Sequence, residues 1–104
     1  MIPCFCINDK NKPAQVPKEK WVVQDERYHI TYVTRVLPQN VLAYFIYEKP
    51  LTEDCLPFEF FLSTRFALTK ENCEKVMQMY RELGELISGE EMKELFENSN
   101  LQTA

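Results

Sequence analysis

Apolar and polar positions alternate through the first two-thirds of the chain and change to a helical rhythm in the last third. The clearest alternation runs from Tyr28 to Leu37. Tyr28, Ile30, Tyr32, Thr34 and Val36 fall on one side, and His29, Thr31, Val33, Arg35 and Leu37 on the other. β-branched and aromatic residues dominate this stretch, as a pleated surface favours. Val41 to Glu48 reads as a second strand, apolar on both sides, which predicts a central place in a sheet. Pro38-Gln39-Asn40 between them predicts a three-residue hairpin loop, with Asn40 in the left-handed conformation. That loop sets Val36 opposite Leu42, Thr34 opposite Tyr44 and Tyr32 opposite Ile46, so Tyr32, Tyr44 and Ile46 share one core face. The opposite face carries His29, Thr31, Val33, Arg35, Phe45 and Tyr47 and is half polar.

Shorter elements flank this hairpin. Ile2 to Ile7 predicts a first strand, followed by a turn at Asn8 to Pro13. Pro17 can open a single helical turn ahead of Trp21. Phe58 to Leu62 is apolar but too short to separate a strand from a tight turn, and Arg65 to Leu68 can close the sheet. Thr69 is a good helix cap, and Cys73, Val76, Met77, Tyr80, Leu83 and Ile87 form one helical stripe. That stripe needs a cover, and the sheet is the only large apolar surface available. Gly84 and Gly89 argue against one unbroken helix. Ser88 and Glu91 form a capping box for a second, with Met92, Leu95 and Phe96 as its apolar face. The expected organisation is a single α+β domain over residues 1–98. It is strand-rich over 1–68 and helical over 69–97, with a frayed tail at 99–104.

The 104 residues suit one domain, and 45% hydrophobic residues suffice for a core without staples. No apolar run reaches membrane-spanning length, and the first residues do not read as a signal peptide, so a cytoplasmic location is expected. Charge is unevenly placed. Met1 to Leu68 holds eight Lys/Arg and eight Asp/Glu, whereas Thr69 to Ala104 holds four and eight, so the whole net charge of −4 lies in the last third. A nucleic-acid binder needs a positive surface, and this composition offers no strong one.

Cys6 to Pro13, Lys20-Trp21-Val22, Tyr28 and Arg65-Phe66, within an order of strands closed by Arg65-Phe66, resemble stretches of short bacterial and phage-type proteins with an SH3-like small β-barrel. The resemblance covers roughly the first two-thirds of the chain. It implies a small antiparallel, SH3-like barrel, partly open, or a curled sheet, with C-terminal helices packed on it, and it implies no activity. A glycine is expected ahead of the Tyr28 strand, where this chain has Asp25-Glu26.

Candidate chemistry is sparse. Cys4 and Cys6 share a strand face, but Cys55 and Cys73 are isolated, which is not zinc-ligand spacing; buried thiols explain all four more simply. His29 is the only histidine, and neither the cysteines nor Ser63 and Ser88 stand in a nucleophile setting with it. Glu53-Asp54 and Glu90-Glu91 read as solvated charge, and no glycine-rich phosphate loop is present. No catalytic residue, metal or cofactor is therefore assigned. Lys10, Lys12, Lys18 and Lys20 with Trp21 make a thin candidate platform for single-stranded nucleic acid. The leading expectation is a non-enzymatic module that binds a protein partner. Its contacts come from the half-polar sheet face, through His29, Arg35, Phe45 and Tyr47, or from the acidic helix, through Glu90, Glu91 and Glu94. A nucleic-acid-associated small barrel is the alternative, and a small enzyme using a Cys or His29 a weaker one.

Overall fold

The computed structural model describes residues 1–101. Five antiparallel strands form one sheet: β1 (Ile2–Cys6), β2 (Arg27–Val36), β3 (Val41–Ile46), β4 (Phe61–Leu62) and β5 (Phe66–Ala67). Their order across the sheet is β4-β3-β2-β1-β5. The two edge strands are neighbours in the chain, joined only by a single 3-10 turn at Ser63–Arg65. The sheet therefore curls until its two edges meet at that turn, yet it is not closed by a fifth pairing, between β4 and β5. Two helices follow, α1 (Lys70–Glu82) and α2 (Gly89–Asn98). The α+β class and the single-sheet architecture agree with the sequence, as does a last strand after Arg65, which forms an edge and leaves the sheet open.

The hairpin register differs from the one expected. Val36 pairs with Val41, Arg35 with Leu42 and Val33 with Tyr44, so four residues, Leu37 to Asn40, connect the strands. Asn40 does take the left-handed conformation, at φ 56°. An irregularity between Ile30 and Tyr32 then inserts Thr31 as an extra residue, and Ile30 pairs with Ile46. Such a bulge reverses the alternation beyond it. Tyr28, Ile30 and Val33 are buried beneath the sheet together with Leu42, Tyr44 and Ile46. Tyr32, expected in the core, is instead 47% exposed on the outer face, and Val33, expected on the half-polar face, is fully buried.

Both helices pack on the sheet through the same core. α1 buries Cys73, Val76, Met77 and Tyr80, as the stripe predicts, with Leu83 at the margin. Thr69 caps it, accepting a hydrogen bond from the Asn72 N–H at 3.2 Å. Gly84, at φ 71°, ends it in the left-handed conformation that glycine adopts without strain. Ser88 caps α2 by accepting from the Glu91 N–H at 3.1 Å. The residues beyond Asn98 do not all fray. Leu101 is buried, and the buried Ser99 Oγ accepts from the Leu42 N–H at 2.8 Å while donating to the Leu95 carbonyl. The remainder of the expected tail, 102–104, lies outside the described residues.

The long connection from β1 to β2 is held by its polar backbone. The Trp21 indole N–H donates to the Asp9 carbonyl at 2.7 Å, and Arg65 both stacks over the Trp21 ring and donates to the Lys10 carbonyl. Asp25 occupies the turn where a glycine was expected and takes φ 74°, a conformation Asp tolerates better than most residues.

Candidate functional site

The bulge in β2 decides which side chains meet on the outer face. His29 and Tyr32 project there from β2, Phe45 from β3, and Tyr47 from just beyond it. Tyr32 and Phe45 meet edge to face with centroids 5.7 Å apart, and Phe45 continues to Phe60 at 6.2 Å. Tyr47 is 61% exposed. Three of these rings, Phe45, Tyr47 and Phe60, line a groove of about 420 Å³ together with Thr31, Lys49 and Glu59, over a floor of Ile46, Leu51 and Phe61. Neither helix covers this face, because both lie on the other side of the sheet with the core.

The groove walls are fixed at both ends. The Thr31 hydroxyl donates to the Phe45 carbonyl at 3.1 Å, locking the bulge to β3. The far wall, running from Lys49 to Phe61, is tied to the long β1–β2 connection. The Lys20 ammonium binds Thr52 and Asp54, and the Lys49 ammonium donates to the Glu19 carbonyl at 3.0 Å. Beside Tyr47, Glu48 accepts from both the His29 ring at 2.6 Å and the His29 main-chain N–H at 2.9 Å. Partial burial pushes the Glu48 carboxyl up, but these bonds from His29 outweigh it and hold the group below its ordinary value.

The residues expected to share the half-polar face are divided by the same bulge. His29, Phe45 and Tyr47 lie at the open end of the hairpin, around the groove. Arg35 lies at its closed end on the core side. Its guanidinium donates to Asn40 Oδ1 at 2.7 Å and to Glu91 of α2 at 3.0 Å. Asn40 in turn donates to the Glu91 carbonyl, and Asn98 to the Asn40 carbonyl. Arg35 and Glu91, expected on two separate contact surfaces, thus bind each other and dock α2 on the hairpin. Glu90 and Glu94 remain exposed. Lys49, Glu59 and Phe60, which line the groove, and Tyr32, which stands beside it against Phe45, were not foreseen. Only the apolar run Phe58 to Leu62 hinted at Phe60; nothing local to the sequence marks Tyr32 as external.

The alternative chemistries fare unevenly. All four cysteines are buried and unlinked. Burial pushes the Cys4 thiol up to about 12 and raises those of Cys6 and Cys73. A thiol so shifted stays protonated near neutral pH and is a poor nucleophile. The Lys-Trp platform is also taken apart. Trp21 is buried under Arg65 and against Phe61, Lys20 is paired with Asp54, and Lys12 is bound to the Val16 carbonyl. No group of three or more His, Cys, Asp or Glu among the described residues converges as metal ligands would. No helix among them is long and apolar enough to cross a membrane. Compared with known proteins, the chain matches no family model, and no curated protein or solved structure shows significant similarity to it.

Proposed function

We propose that this chain is a non-enzymatic protein-binding module whose contact surface is the aromatic groove on the outer face of the sheet. One observation carries the reading: Tyr32, Phe45 and Tyr47 stand exposed, with the half-buried Phe60 against Phe45, beside a preformed groove that the protein's own helices leave open. Rings with polar tips are enriched at interfaces because they offer large contact area at small entropic cost. The strand order, with one helical turn joining the two edge strands, supports reading the sheet as a partly open, SH3-like small barrel. Four cysteines without a disulfide support a reducing, cytoplasmic setting.

The test begins with capture of a partner from the native cell and its purification. Its affinity is then measured against the parent and a Tyr32→Ala/Tyr47→Ala variant. Both rings are exposed, so the variant keeps its fold, and its affinity should drop by tenfold or more, about 1.4 kcal/mol. Glu90→Gln/Glu94→Gln should change only the salt dependence of association. Undiminished binding by the ring variant removes the groove from the contact. The exposed rings could also stack on bases, which keeps a nucleic-acid reading alive. Tight binding of single-stranded nucleic acid at physiological salt would favour that reading over the first.

A further inference from the structure

We draw no further inference here: the strongest candidate, the groove that Phe45, Tyr47 and Phe60 line on the outer face of the sheet, belongs to the site already described, and with one anion, Glu59, and one cation, Lys49, in its lining nothing in the structure shows what covers it.

Discussion

Two buried tyrosines show how differently one hydroxyl can act. The Tyr28 hydroxyl accepts from the Val23 N–H at 2.8 Å and so satisfies a backbone donor in the long β1–β2 connection. The Tyr44 hydroxyl is fully buried and has no partner among the described residues. Burial raises the Tyr44 phenol far above its ordinary range, so it stays neutral. Removing an unpaired buried hydroxyl relieves a desolvation cost, whereas removing a paired one orphans its partner. Tyr44→Phe should leave stability unchanged or raise it, and Tyr28→Phe should cost about 1–3 kcal/mol. Urea unfolding of both variants checks the contrast, and equal losses would refute it. The buried Tyr44 side chain was legible from the alternation of β3. The fate of its hydroxyl was not, because that depends on which atoms β1, α1 and Phe66 bring around it.

At the scale of elements, α2 does more than cover the core. Its C-cap residue, Ser99, supplies the acceptor for the Leu42 N–H at the edge of β3, just past the point where the two-residue β4 stops pairing. Its first turn meets the hairpin tip through Glu91, Arg35 and Asn40. The helix thus substitutes for a longer edge strand and leaves less of the sheet edge open to other chains. Ser99→Ala should cost about 1–3 kcal/mol, since it strands a buried donor. Amide hydrogen exchange should show the loss at Leu42 as well as in α2. Loss of protection in α2 alone would mean that the helix frays independently of the sheet. Both helix caps were visible in the sequence because Thr69 and Ser88 act locally, on donors three residues away. The docking of α2 was not visible, because Ser99 and Arg35 find partners more than fifty residues distant.

Across the molecule as a whole, a neutral sheet carries an acidic pair of helices, and the strand-rich region holds a pair of carboxylates below their ordinary values. His29 lowers Glu48 against the opposing effect of partial burial, and Thr52 and then Lys20 lower Asp54. A carboxyl whose folded-state pKa is depressed adds stability above its unfolded-state pKa and loses it as pH falls through the folded value. Acid should therefore erode stability as pH drops below about 4.5, the ordinary Glu value. Glu48→Gln should be less stable than the parent at pH 7, with the melting midpoints of parent and variant converging as the pH falls below that value. Thermal melts across that range test the point, and a gap that persists at low pH would show that the substitution acts by packing instead of charge. Glu48 and His29 are nineteen residues apart and meet because β2 and β3 pair, so the Glu48 shift could not be read along the chain.

Whatever rests on neighbours along the chain was legible from the order of amino acids. This covers the strand-to-helix change of rhythm near Leu68, both helix caps, the break at Gly84 and Gly89, the left-handed Asn40, and the buried stripe of α1. What depends on register came only from the packed fold. Alternation predicts faces only while it is unbroken, and one extra residue at Thr31 exchanged Tyr32 for Val33 between core and surface. A bulge has no signature in hydrophobicity, since both exchanged residues are apolar and suit a strand. Its position follows from the combined demands of the hairpin end, which α2 clasps, and of the opposite end, where Ile30 must meet Ile46. The exposed groove lies at that compromise: the inserted Thr31 lines it with Phe45, Tyr47 and Phe60, and the outward-turned Tyr32 stands beside it against Phe45.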